Sequence, residues 1–174
     1  MNGPDPALRA VMERAVAACV AHVEAGGLPF VGVLADATGE VISGFGVNRV
    51  RETGDPTAHA EIVAMRDAMT ALGLDTLDGI ALLATGEPCG LCYRYAIDHG
   101  IDRIHVAVDR DTVAGFGIDY RAGYRAFGIT DARRAELMRP LPVGRAAEPF
   151  TRYLRINDPG HAPVRTRHAS KGTS

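Results

Sequence analysis

The apolar residues of the chain fall into segments of two kinds that alternate, and this alternation restricts the fold more than any other feature. Residues at helical spacing predict helices, and continuous apolar runs predict buried strands. The predicted helices cover about 6–25, 57–72 and 89–99, and the predicted strands cover 29–35, 40–47, 80–84 and 103–108. We expect Thr57 to cap the second helix. The order of the elements indicates an α/β fold, with helices packed on the faces of a sheet.

The remainder of the chain is less regular. Helices are predicted over 131–138 and 148–156, and residues 1–156 are predicted to form one domain. Residues 157–174 contain mostly Pro, Gly, His, Arg, Ser and Lys, with little to bury. We therefore expect a disordered tail.

The composition argues against two classes of partner. The formal net charge is −2 over 174 residues. Nucleic-acid-binding domains usually carry a basic surplus, so a polynucleotide is not the expected partner. No apolar segment is long enough to cross a membrane, so no membrane partner is expected either.

Cysteine usage points to a reducing compartment. The chain has three cysteines, Cys19, Cys89 and Cys92. An odd number with one close pair does not match the disulfide framework of a secreted protein, and the N-terminal sequence has no signal-peptide pattern. We expect a cytoplasmic protein in which Cys19 is a core residue, while Cys89 and Cys92 bind a metal or act in redox chemistry.

Two short segments concentrate the residues that carry chemistry, 56–61 (PTAHAE) and 87–92 (EPCGLC). Alone, His59 is more often a structural residue, and the Cys89–Cys92 pair is either a redox pair or half of a zinc site. Together, His59, Cys89 and Cys92 provide three zinc ligands, which is the number used by catalytic sites that leave the fourth position to water. The sequence therefore predicts one Zn²⁺ per chain.

Glu61 supplies the proton transfer that such a site needs. A carboxylate near the metal but not bound to it is suited to act as a general acid and base. The structural alternative is a first-turn carboxylate stabilised by the helix dipole. His-x-Glu followed by Pro-Cys-x-x-Cys is the known signature of zinc deaminases, and both halves occur here in that order.

These motifs resemble the cytidine deaminase-like superfamily, and most closely its branch of guanine, cytosine and tRNA adenosine deaminases. The likeness extends over about residues 8–154, and is carried by 46–49, 55–61, 85–92 and 100–103. The resemblance implies a three-layer α/β/α sandwich around a five-stranded mixed sheet. It also implies a homodimer and a zinc-dependent aminohydrolase that releases ammonia.

The resemblance also implies substrate contacts. Asn48 matches an asparagine that bonds the base or sugar, although a turn residue is the alternative. The backbone N–H of Ala60 matches a donor to the ring. Phe30 matches a residue of the pocket wall, with a core aromatic as the alternative.

The segment 113–120 (VAGFGIDY) resembles the part of guanine deaminases that carries a substrate-reading aspartate. Asp119 is the candidate, because a carboxylate can accept both N–H groups of guanine. The family usually has adjacent acidic residues after the Phe, whereas Gly117 and Ile118 intervene here, so a surface position is the alternative. Guanine to xanthine is the favoured reaction. Cytosine, a nucleoside, or a specialised aminopurine or pterin are the alternative substrates.

Tyr93, Arg94 and Tyr95 stand where the branch usually has small residues. They indicate either altered helix packing at a dimer interface or a pocket reshaped for another heterocycle. Two other classes of protein are a thiol redox protein and a non-catalytic zinc-stabilised module. The first leaves His59 and Glu61 unexplained, and the second has no need of Glu61.

Overall fold

The computed structural model describes residues 5–158, in which helices and strands alternate along the chain. The elements are α1 (Pro6–Glu24), β1 (Val31–Ala35), β2 (Gly46–Val47), α2 (Val50–Thr53), α3 (Ala60–Leu72), β3 (Ala81–Gly86), α4 (Gly90–Asp98), β4 (Arg103–Val108), α5 (Arg110–Gly115), α6 (Asp131–Leu137), β5 (Met138–Pro140) and α7 (Glu148–Asn157). Two 3₁₀ turns, Arg121–Gly123 and Arg125–Phe127, lie between α5 and α6.

The strands form one five-stranded mixed sheet in the order β2-β1-β3-β4-β5. Strand β1 pairs antiparallel with β2 and β3, whereas β3, β4 and β5 run parallel. Helices cover both faces. One core lies between the sheet and α1 with α7, and includes Met12, Leu83 and Phe150. The other lies between the sheet and α3 with α4, and includes Met65 and Leu82. The predicted three-layer α/β/α fold is confirmed.

The second strand is much shorter than the predicted 40–47. Only Gly46–Val47 pairs as a strand, and an isolated bridge joins Val41 to Ala35. Between them, the Ser43 hydroxyl accepts the Leu34 N–H at 2.9 Å, so a side chain takes the place of a ladder bond. Strand β5 was not predicted because its three residues, half-buried to exposed, show no apolar alternation.

Helix α3 begins at Ala60 and not at Thr57, so the predicted cap is wrong. The N–H and the hydroxyl of Thr57 both donate to Asp55 Oδ1, at 2.8 and 2.6 Å, which turns the chain before the helix starts. His59 takes the N-cap position instead.

Helix α7 ends at Asn157, one residue beyond the predicted end. The expected disordered tail falls almost wholly on 159–174, outside the described residues. Within the described range, no helix is both long and apolar enough to span a membrane.

Candidate active site

Helix α3 brings two functional side chains to the sheet at its first turn. His59 is extended at the N-cap (φ −71°, ψ 156°), and Glu61 is the second helical residue. The helix lies this close because β1 and β2 present glycines to it. A Cβ at Gly32 would lie 2.7 Å from Glu61 Cα, and a Cβ at Gly46 would lie 2.3 Å from the Ala60 carbonyl oxygen. Glu61 is consequently buried, with 4% of its surface exposed.

Helix α4 begins in the same way. Cys89 is extended at the N-cap (φ −71°, ψ 172°), and Cys92 follows one turn later on the same side. The Cys89 and Cys92 Sγ atoms each lie 3.5 Å from His59 Nδ1, and they lie 3.7 Å from each other. The three donor atoms form a compact triangle.

This triangle has the dimensions of a zinc site. Tetrahedral zinc with Zn–S bonds of about 2.3 Å and Zn–N bonds of about 2.0–2.1 Å separates two sulfurs by about 3.8 Å and a sulfur from a nitrogen by about 3.5 Å. In the described part of the chain, His59, Cys89 and Cys92 are the residues grouped closely enough to hold a metal. The donor set predicted from the sequence fits zinc and leaves one coordination position open.

Electrostatic contacts support a thiolate at this site. The pKa of Cys89 is lowered to about 4, chiefly by its hydrogen-bonding contact with Cys92, and His59 adds to the effect against the cost of burial. The hydrogen bond between His59 and Cys89 also raises the pKa of His59. The thiolate is the form of cysteine that binds metals.

Glu61 lies beside the donor group. Its Oε2 is 3.3 Å from Cys92 Sγ. Burial, and to a smaller extent the negative charge of Cys89, raise the pKa of Glu61 to about 7. The carboxyl group therefore lies within reach of whatever binds at the open position.

A cavity of about 250 Å³ opens next to the donors. Besides His59, Glu61 and Cys89, its lining includes Leu28, Phe30, Asn48, Ala60, Glu87 and Tyr120. The structure therefore brings Phe30, Asn48 and Ala60 together around one cavity, and their contact with a substrate stays a prediction. Leu28, Asn48 and His59 also line a neighbouring outer groove of about 730 Å³.

Two of these residues present donors. Asn48 Oδ1 accepts the Val50 N–H at 3.1 Å, which leaves the Nδ2 group to donate to a bound molecule. Ala60 is the first residue of α3, so its N–H has no acceptor inside the helix.

Residues 6–108 match the family described as the cytidine and deoxycytidylate deaminase zinc-binding region. The chain belongs to this deaminase family. The matched range contains all three metal donors and Glu61, so the predicted superfamily and zinc cofactor are confirmed.

Known relatives of this family member are of several kinds. The chain is 38% identical over 101 residues to a tRNA(Ile)-lysidine synthase of Deinococcus radiodurans. The aligned region is 58% of this chain and 17% of that relative. The chain is 47% identical over 62 residues to a tRNA-specific adenosine deaminase of Agrobacterium fabrum. The aligned region is 36% of this chain and 40% of that relative. The chain thus matches less than half the length of these two relatives.

Among solved structures, the X-ray structure of guanine deaminase from Bacillus subtilis is 30% identical to the chain. It superposes with a TM-score of 0.61 and covers 80% of this chain and 88% of that one.

Asp119 is not among the residues that line the cavity. Its two carboxylate oxygens accept the Arg121 Nε and Nη2 groups at 2.9 and 2.8 Å, and about half of its side chain is exposed. The next residue, Tyr120, lines the cavity instead, with its ring edge-on to Phe30 at 6.1 Å. A role of Asp119 in reading the substrate stays a prediction. Sequence reasoning singled out this segment but not Tyr120, and it gave no signal for Leu28.

None of Tyr93, Arg94 and Tyr95 is part of the cavity lining. Tyr93 is fully buried, and its hydroxyl donates to Glu87 Oε1 at 3.0 Å. Arg94 pairs with Asp98 at 2.8 Å, and Tyr95 stacks on His99. The geometry of the single chain therefore favours altered packing over a reshaped pocket.

Proposed function

We propose that the chain catalyses zinc-dependent hydrolytic deamination of a free amino-substituted nucleobase, with guanine to xanthine as the first candidate reaction. The observation that carries the proposal is the position of Glu61. Its carboxylate lies beside the metal donors, 3.3 Å from Cys92 Sγ, and lines the same cavity as His59 and Cys89.

The cavity suits a flat heterocycle. Apolar and aromatic walls with a few fixed polar groups are typical of small-molecule sites. Leu28, Phe30 and Tyr120 supply the walls. The Asn48 amide and the Ala60 N–H would donate to carbonyl or ring-nitrogen acceptors of the base and so orient its amino-bearing carbon.

His59, Cys89 and Cys92 would hold the metal. Bound zinc supplies a nucleophile by lowering the pKa of a coordinated water molecule to about 7. Glu61 takes the proton of the attacking water and delivers it to a ring nitrogen. It then takes a second proton, from the hydroxyl group that has added to the ring carbon, and passes it to the amino group, so that ammonia leaves and the oxo-base remains. Burial of Glu61 keeps bulk water from competing for these protons.

Similarity to the B. subtilis guanine deaminase supports guanine as the substrate. The exposed position of Asp119 does not add to that support, because its carboxylate is paired with Arg121. The outer groove supports a nucleoside as the alternative, since it shares Leu28, Asn48 and His59 with the cavity and has room for a sugar. Cytosine, a specialised aminopurine and a pterin remain alternatives that the cavity volume admits.

The partner proposed is thus a small molecule. A polynucleotide fits less well, because the net charge is −2 and most arginines of the second half pair with acidic neighbours. We also propose a homodimer in the cytoplasm, on the grounds of the family resemblance and of cysteine usage.

The test is ammonia release by the zinc-loaded chain from guanine, cytosine, adenine, their nucleosides and aminopterins. The proposal expects guanine to have the highest kcat/KM. Preference for a nucleoside would move the substrate assignment to the outer groove. Ammonia from none of them, with one zinc per chain, would favour a non-catalytic zinc module.

A further inference from the structure

We propose that Glu87 is a positioning residue for the metal site, and that Tyr93 acts with it to hold Cys89 at bonding distance from the metal. The inference rests on the zinc site of the proposed function. The segment Glu87–Cys89, called here the metal turn, connects the end of β3 to the start of α4.

The Glu87 carboxylate is fully buried and has donors on every side. It accepts the Tyr93 hydroxyl at 3.0 Å, the Arg110 backbone N–H at 2.8 Å and the Arg134 Nη2 group at 2.7 Å. Arg134 Nε also donates to it. These donors come from α4, the start of α5, and α6. One side chain therefore ties three helices to the metal turn.

The backbone of the metal turn is held as completely. The Glu87 N–H donates to the Val108 carbonyl at 2.8 Å. The Tyr120 hydroxyl donates to the Glu87 carbonyl, and the Tyr124 hydroxyl donates to the Pro88 carbonyl. Tertiary contacts, and not helix α4 itself, thus determine the position of the backbone at Cys89.

Tyr93 closes this network from the other side. It directly follows Cys92 on α4, so its bond to Glu87 connects the helix that carries the second thiol to the turn that carries the first. A small residue at this position would lack that bond. This gives the bulky Tyr93 a role at the metal site although it does not line the cavity.

Zinc binding tolerates only small changes in the distances between the three donor atoms. The sides of the donor triangle, 3.5–3.7 Å long, match tetrahedral zinc to within a few tenths of an ångström. Outer residues that orient metal ligands typically contribute 10- to 100-fold to metal affinity or activity. A loosened metal turn should therefore weaken metal binding before it unfolds the chain.

The test compares Tyr93→Phe with Tyr95→Phe. Both remove one hydroxyl from α4, but the Tyr95 ring stacks on His99 and its hydroxyl contacts Arg66, whereas the Tyr93 hydroxyl donates to Glu87. Zinc affinity is measured by competition with a chromogenic chelator. Thiolate geometry is followed by the thiolate-to-metal absorption of the Co²⁺-loaded chain. We expect Tyr93→Phe to weaken zinc binding by about tenfold and to shift the Co²⁺ spectrum, while Tyr95→Phe changes neither.

Unchanged affinity and an unchanged Co²⁺ spectrum in Tyr93→Phe would overturn the proposal. Should that variant fail to fold, Glu87→Gln provides the same two readouts, because it keeps the size of the side chain and turns one acceptor into a donor that faces Arg134. Neither readout requires a substrate. A chain that loses zinc affinity as expected but never releases ammonia would contradict the proposed function and leave this inference standing.

Discussion

The junctions that precede α3 and α4 both position a metal donor, but different contacts hold them in place. Each places a metal donor at a helix N-cap with nearly the same backbone conformation, His59 in one and Cys89 in the other. The α3 junction is fixed by close backbone packing against Gly32 and Gly46, with an ion pair between Asp55 and Arg66 at its surface. The α4 junction is fixed by a buried carboxylate network.

The two junctions differ in which side chains they bring to the cavity. The second residue of α3 is Glu61, whereas the second residue of α4 is Leu91. Close packing on glycine brings Glu61 to the cavity with no side chain in between. The metal turn carries the sulfur ligand Cys89, and a network of buried side chains around Glu87 supports it. Variants at the two junctions should therefore fail in different ways.

The largest effect is expected for Glu61→Gln. The amide cannot take up and return a proton, so turnover should fall roughly 100- to 10 000-fold. Zinc content, measured by elemental analysis, should stay at one per chain because Glu61 is not a donor. Near-normal turnover of the variant would show that another group moves the proton.

Arg134→Met should destabilise the α4 junction strongly. It leaves the fully buried Glu87 carboxylate without its cation, and breaking a buried pair typically costs about 3–5 kcal/mol. The free energy of unfolding, from denaturant titration, measures this loss. Arg66→Met is the matched control at the α3 junction, where Arg66 and Asp55 are each about 40% exposed and little loss is expected. Equal losses would contradict the contrast between the junctions.

Gly46→Ala should damage the α3 junction. The added Cβ meets the Ala60 carbonyl at 2.3 Å and the Ala64 nitrogen at 2.7 Å, so the helix must move. We expect a loss of about 1–3 kcal/mol in unfolding free energy and a lower kcat, because α3 carries Glu61. Gly144→Ala is the control, since nothing lies within 4 Å of its added Cβ. Unchanged activity of Gly46→Ala would mean that the close approach does not position Glu61.

The smallest effect is expected for Asp119→Asn. Asp119 pairs with Arg121 outside the cavity, so kcat/KM should stay within about twofold. Asp111→Asn, which removes the other acidic partner of Arg121, controls for loss of that pairing. A selective loss of more than about tenfold with Asp119→Asn would mean that the residue reads the substrate.

The sequence predicted the parts of the site that depend on local geometry. His59, Glu61, Cys89 and Cys92 all stand at helix starts, where short spacing determines which side chains share a face. Apolar residues likewise revealed β3, which is buried throughout, and β4, in which every second residue is buried.

What the sequence could not place depends on tertiary contacts. Asp119 and Tyr120 lie between a short helix and a 3₁₀ turn, where no period tells which of two neighbours faces inward. Tyr93 was recognised as unusual, but its bond to Glu87 depends on how α4 packs against the metal turn. Thr57 resembles a cap by residue type, yet Asp55 competes successfully for it.

Ammonia release from guanine by the chain after removal and return of zinc tests the central claim most directly. The account predicts one ammonia and one xanthine for each guanine consumed, no turnover in the stripped chain, and recovery as zinc is restored to one per chain. Full zinc occupancy without ammonia from guanine or any other amino-heterocycle would contradict it.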